Sequence, residues 1–264
     1  RTAAGMTAAA TWLWRGLLAA FLVFMLGPLL LVILFSFSSN ALISFPLGEL
    51  TFDWYRVLFA NPEFWSALEN SLIIAAATGL ISTVAGTMAA LSLVRFRPAT
   101  SSALIACLTL PVTLPPLLLA VSLVVFFVRF LELPLSPATV IAGHVLIAQP
   151  FVILIVLARL ANFDYASMDA ARDLGATRWQ AFRKVLLPQI RAALIGAALI
   201  AMAISLDDFI IAVFTLGGGN TLSTFIWGKV RTTLDPSINA IACILLVFTV
   251  GTTLAALKLT KYRG

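Results

Sequence analysis

Two adjacent carboxylates, Asp207 and Asp208, stand inside the apolar run from Ala193 to Leu216. An ionised carboxylate within a bilayer is costly, so a cavity or a partner must face it. Successive helix residues point about 100° apart. One acid can therefore face a pathway while the other meets a neighbouring helix or a basic group. Toward an organic polycation a carboxylate supplies charge-assisted hydrogen bonds, and Phe209 and Trp227 add cation–π attraction. The competing reading is a polar pair that braces a helix bundle. His144, beside Gly143 in another apolar run, fits a helix–helix hydrogen bond better than a ligand role. Cys107 and Cys243 lack metal-ligand spacing, so no metal site is expected. The segment Gly217-Gly218-Gly219-Asn220 lacks the Lys-Ser/Thr and the preceding strand of a phosphate loop. It reads as a flexible turn before a short helix around Thr224–Val230. An intramembrane hydrolase needs a Ser–His pair or two Asp on different helices. Here the chain offers one His, no Gly-x-Ser-Gly, and acids adjacent on one run, so no catalytic residue is expected.

The elements that must position these residues follow from composition. Of 264 residues 61% are hydrophobic and 11% charged, where a soluble domain carries about a quarter charged. Mean hydropathy is +1.06. One soluble core could not hide that much apolar surface, so the chain belongs in lipid. Disorder, nucleic-acid binding and a disulfide scaffold are excluded on the same ground. A helix needs about 20 apolar residues to cross a bilayer. Six stretches qualify: Trp12–Phe37, Ser71–Val94, Leu104–Phe127, Thr139–Leu160, Ala193–Leu216 and Ile238–Leu257. The first is longer than a signal-peptide core. The expected fold is all-α: a polytopic membrane protein with six transmembrane helices, forming a single domain over 1–264.

Loop charge sets the orientation. With the N-terminus inside, the outer side keeps only Arg56, Arg129, Lys229 and Arg231 of 17 basic residues. Both termini are therefore expected in the cytoplasm. The first outer loop carries Glu49, Asp53, Glu63 and Glu69 against Arg56, which suits a basic partner or plain solvent. Pro111, Pro115 and Pro116 interrupt the third span and Pro150 the fourth; each removes a backbone hydrogen bond. The freed carbonyls need protein partners or a watery cavity.

The segment 162–191 between the fourth and fifth spans is too long for a minimal connection and too well patterned for a linker. Asp164 is placed to cap a first helix, and Gly175 suits the left-handed residue that ends one. Thr177 opens a second helix with Gln180 at capping-box spacing. Trp179, Phe182, Val185 and Leu186 form one apolar stripe, and Pro188 is expected to stop the helix. An amphipathic helix on headgroups and a docking element for a cytosolic partner both fit this pattern.

Asp169-Ala170-Ala171, three residues, Gly175, nine residues, Val185, one residue, Leu187-Pro188 closely resembles the EAA loop of bacterial ABC importer permeases. That pattern is Glu-Ala-Ala-x3-Gly-x9-Ile-x-Leu-Pro; Asp169 stands for Glu, Val185 for Ile, and Ala192 where many relatives have another proline. The runs Ser205-Leu-Asp-Asp-Phe and Pro236-Ser-Ile-Asn-Ala look like the second permease subunit of spermidine/putrescine importers. The resemblance implies a membrane-spanning subunit of a binding-protein-dependent importer in a bacterial inner membrane. It implies that Asp169, Ala170, Ala171, Gly175, Val185, Leu187 and Pro188 seat a coupling helix in a cytosolic ATPase subunit. Two ATPase copies would bind ATP and Mg2+, since no Walker sequence occurs here. A second homologous permease chain and an extracytoplasmic solute-binding protein would complete the assembly. Polyamine is the implied substrate, along a path through Asp207, Asp208, Phe209 and Trp227. Importers of other small solutes share the scaffold. An ion-coupled secondary transporter would show internal repeats and no docking loop.

Overall fold

The computed structural model describes residues 8–40, 44–232 and 236–261. Arg1 and Arg263, which the orientation places inside, and Thr233, Leu234 and Asp235 lie outside them. Contacts divide the chain into two units, Arg1–Pro62 with Ile226–Gly264, and Glu63–Phe225.

In the first unit α1 (Ala8–Ser36) and α12 (Ser237–Lys261) pack together, and the short α2 (Asp53–Phe59) packs on α12. The chain between α1 and α2 turns back through a single antiparallel bridge, Ser38 with Leu50. The Trp54 indole nitrogen donates to the Ser38 carbonyl at 2.7 Å. Ser36 Oγ and the Tyr55 hydroxyl lie 2.8 Å apart. Burial, reinforced by the Cys243 thiol, pushes the Tyr55 phenol up to about 12.

The second unit holds α3 (Pro62–Leu93), α4 (Pro98–Thr113), α5 (Pro116–Val125), α6 (Pro137–Ala161), α7 (Ala166–Asp173), α8 (Arg178–Ala181), α9 (Leu187–Asp207) and α10 (Ile210–Thr215). Leu222 opens α11 (Leu222–Thr232), which continues into the first unit and matches the short helix expected around Thr224–Val230. Helices α6 and α9 form the main packed pair. Ala148, Val152, Val156 and Leu160 of α6 meet Ile190, Ala197 and Ala201 of α9 in one buried cluster.

Among the described residues four helices are long and apolar enough to cross a membrane: Thr11–Ser36, Pro62–Leu93, Pro137–Ala161 and Arg178–Asp207. A bent pair, Pro98–Thr113 with Pro116–Phe130, passes the same test at 96°. The expected third span, Leu104–Phe127, is thus two helices set nearly at right angles. The cause is local: a proline drives the residue before it out of the helical region. Leu114 and Pro115 each precede a proline, and their ψ angles are 145° and 128°. Pro111 and Pro150, by contrast, are carried inside helices.

Pro188 does not stop its helix, contrary to the sequence expectation. The helix from Arg178 runs on to Asp207. A π-helical turn, Phe182–Leu186, precedes the proline, and Leu187 N–H donates to the Phe182 carbonyl. The wider turn shifts the hydrogen-bond ladder where proline has no donor. Arg159 supports the junction, donating from Nε and Nη2 to the Gln189 carbonyl at 3.2 and 3.0 Å. The result is one 30-residue rod, about 45 Å long at the α-helical rise.

Candidate functional site

The rod ends at Asp207, and the fifth expected span, Ala193–Leu216, breaks there. Asp208 takes extended geometry, ψ 120°, and α10 starts two residues later. The Asp208 carboxylate holds the new helix start: its Oδ1 accepts from Ile211 N–H at 2.8 Å and Ala212 N–H at 3.3 Å. A carboxylate at a helix N-terminus satisfies orphan amides and complements the helix dipole. The Asp208 carbonyl accepts from Ser223 Oγ at 2.8 Å, which ties α11 to the break.

His144 approaches from α6. Its Nδ1 lies 2.7 Å from Ser205 Oγ, a buried pair. Its Nε2 lies 3.3 Å from Asp208 Oδ1, outside hydrogen-bond alignment, so that nitrogen has no aligned partner. His144 itself is fully buried. Gly143 makes this approach possible. A Cβ there would come within 2.6 Å of Ile211 Cγ2 and 3.2 Å of Leu123 Cδ1. Nearer the start of α6, Thr139 Oγ1 donates to the Thr215 carbonyl at 2.7 Å. Side chains of α6 therefore grip both sides of the break.

The row Ser205–His144–Asp208 has the composition of a hydrolytic triad, and the sequence reading did not foresee the Ser–His pair. Its chemistry differs. Acyl transfer needs an accessible nucleophile and free amide donors for an oxyanion. Ser205 is buried, and the amides of Ile211 and Ala212 are spent on Asp208. The arrangement braces a helix break.

The two acids part company. Asp208 is largely buried at 14% side-chain exposure, with Oδ1 holding the start of α10. Asp207 is exposed and makes no hydrogen bond or ion pair among the described residues. Phe209, partly buried, bridges the break as the residue before α10. Trp227, half-exposed on α11, belongs to the first unit, whereas this site is confined to the second. The glycine-rich turn is tied rather than loose. Asn70 Nδ2 donates to the Asn220 carbonyl at 3.0 Å, and Leu222 N–H to Ser71 Oγ at 2.7 Å.

At the other end of the rod lies the 162–191 segment. Asp164 does not sit at the cap position, which is Tyr165; its Oδ1 accepts from Ala166 N–H at 3.0 Å in a turn that leads into α7. That helix closes at Gly175, φ 89°. Gly175 N–H donates to the Arg172 carbonyl at 2.9 Å, and Ala176 N–H to that of Ala171 at 3.0 Å. These are the two bonds of a Schellman cap. Thr177 and Gln180 form the expected capping box. Two open clefts flank the turn. One, of about 470 Å³, is lined by Asp169, Arg172, Asp173, Ala176 and Arg178. The other, of about 360 Å³, is lined by residues including Ala171, Leu174, Gly175, Gln180 and Val185. Leu174 is 90% exposed, and Trp179 stacks on Phe182 at 5.4 Å. Met168, Phe182 and Val185 pack against the α6–α9 core, while Ala170 lies on α7 beside Asp169 and Leu187 and Pro188 open α9.

Residues 82–260 match the model of the family described as binding-protein-dependent transport system inner membrane component. The chain belongs to that family. Among its relatives in this family is the putrescine transport system permease protein PotI of Escherichia coli K12. The two are 34% identical over 230 residues, 84% of this chain and 82% of that one. The spermidine/putrescine transport system permease protein PotC of the same organism is 28% identical over 242 residues, 91% of each. The fold of the family member is that of ABC importer permeases. A chain of a bacterial ABC transporter that imports the acidic polysaccharide alginate superposes with TM-score 0.72 at 20% identity, covering 96% of both chains. One from the inward-facing MetNI methionine ABC transporter gives 0.62 at 21% identity, covering 77% of this chain and 98% of that one.

Sequence reasoning missed Ser223 and the partnership of Ser205 with His144. The only local hint was a small residue, Gly143, beside the single histidine.

Proposed function

We propose that the chain is the permease subunit of a binding-protein-dependent ABC importer that brings polyamines into the cytoplasm. The observation that carries this reading is a single continuous helix. It begins in the EAA-type segment at Arg178 and ends at Asp207, whose exposed carboxylate has no partner among the described residues. The chain acts as one permease domain, 1–264, with six spans and both termini cytoplasmic, in a bacterial inner membrane. The apolar stretch Ser237–Val247 of α12 supports the sixth span.

Segment 162–191 is the coupling element. Asp169, Ala170, Ala171 and Gly175 shape its docking face; Val185, Leu187 and Pro188 join that face to the rod. The partner is a pair of cytosolic ATPase subunits, which bind ATP and Mg2+; the chain contributes no catalytic residue. A second permease subunit and an extracytoplasmic solute-binding protein complete the machine, and PotI and PotC being polyamine-system permeases supports the substrate class. Closure of the ATPase pair pushes the docking face. Met168, Phe182 and Val185 pass the push to α6 and α9, and the rod shifts the break. The cavity then turns from one side of the membrane to the other.

At the break, Asp207 is the seat for an ammonium group and Asp208 the acid that shapes the turn. Phe209, next to both acids, is the aromatic neighbour of the cation. The complete complex in proteoliposomes tests the reading with labelled putrescine, spermidine, a neutral amino acid and a sugar. ATP-dependent uptake confined to the polyamines is the expected result. Uptake of an uncharged solute instead would leave the scaffold but overturn the substrate.

A further inference from the structure

We infer that His144 is a positioning residue for substrate binding, acting through its Nε2 on the Asp208 carboxylate. The inference rests on Asp207 being the cation seat, and it names what keeps that seat in place. The helix break contains neither glycine nor proline at 207–209, so nothing in its own backbone chemistry demands it there. It is set by the Asp208 side chain capping α10 together with contacts from other helices. Ser223 holds the Asp208 carbonyl, the amides of Ile211 and Ala212 hold one carboxylate oxygen, and His144 faces that same oxygen.

The two nitrogens of His144 do different work. Nδ1 is fixed by Ser205 at 2.7 Å, a contact within the unbroken rod that orients the ring. Nε2 reaches past the end of the rod to Asp208. Only this second contact links α6 to the broken segment through the carboxylate that caps α10. Without it, Oδ1 keeps its amides, but the Asp208 side chain loses the neighbour that sets its direction from the α6 side. Asp207 is the adjacent residue and inherits any rotation of the turn.

Asparagine and glutamine separate the two contacts. An asparagine amide falls near the place of imidazole Nδ1, where its oxygen accepts from the Ser205 hydroxyl, and a glutamine amide nitrogen falls near that of Nε2, where it donates to Asp208. In the complete complex reconstituted with binding protein and ATPase, His144→Asn therefore keeps Ser205 and loses Asp208. His144→Gln keeps Asp208. With putrescine as the probe, His144→Asn is expected to raise KM by about tenfold with kcat within about twofold, while His144→Gln stays within about threefold of the parent KM. A purely structural histidine would instead lower the amount of complex, or kcat, alike in both variants. Equal KM values for the two variants, or a fall confined to kcat, would overturn the proposal. Should the asparagine variant fail to assemble, His144→Gln decides alone: a normal complex level with KM raised about tenfold rejects the Nε2 contact, and a KM near the parent's supports it. Asp207→Asn in the same assay separates the two claims. If it leaves KM unchanged, the cation seat is wrong; if it raises KM while His144→Asn does not, only the positioning role is wrong.

Discussion

Asp207→Asn should raise the putrescine KM of the reconstituted complex by about tenfold to a hundredfold, the span expected for losing one hydrogen bond to a charged partner worth about 1.5–3 kcal/mol. Asp207 has no competing partner among the described residues, so its charge is available to an incoming ammonium. The change is nearly isosteric and leaves the Asp208 cap intact. Membrane level and substrate-free ATP hydrolysis should therefore be preserved. Asp208→Asn should act differently. An asparagine oxygen can still accept from Ile211 and Ala212, but the charge facing His144 disappears. The effect on KM should then be smaller than for Asp207→Asn, and part of the loss should appear as reduced complex stability. Uptake kinetics across a putrescine titration, with immunodetection of the complex, measure both. An unchanged KM in Asp207→Asn would remove the acid from the path.

The second large effect belongs to Gly175→Pro. The residue has φ 89° and donates its N–H to the Arg172 carbonyl. Proline fixes φ near −65° and has no N–H, so it loses both the backbone angle and a Schellman bond. Uptake should fall below about a tenth of the parent value while ATP hydrolysis by the assembled complex persists, because the strain is confined to the docking turn. Gly175→Ala should be much milder, since a left-handed alanine costs about 1–2 kcal/mol. Nothing lies within 4 Å of a Cβ at this position, so packing adds no further penalty. ATP hydrolysis and uptake measured on the same vesicles give the coupling ratio directly. A normal ratio in the proline variant would contradict the coupling role.

Local chemistry made the turns of segment 162–191 legible in the sequence. Asp164, Gly175, Thr177 and Gln180 act on backbone groups two or three residues away, and such short-range bonds can be read from order and spacing. Apolar length likewise located the long helices. Features set by distant contacts were not legible. Ser205 and His144 are 61 residues apart, and no periodicity links them. The break at Asp208 lacks a breaker residue; Ser223 bonds its carbonyl from another helix, and His144 packs beside its carboxylate. Pro188 misled because its usual effect is to end a helix, whereas a π turn one residue before α9 absorbs the missing donor. The prolines at 115 and 116 announced an interruption, but the 96° angle is a property of how α4 and α5 leave it.

The claim on which the rest depends is that the turn at Gly175 seats in an ATPase. Leu174, 90% exposed at that turn, offers a direct probe. A photoreactive group attached to Leu174→Cys, in a Cys107→Ser background, should capture the ATPase subunit from the complete complex. The yield should change when ATP is added. Label found only in lipid, or on no subunit of an intact and active complex, would contradict the account.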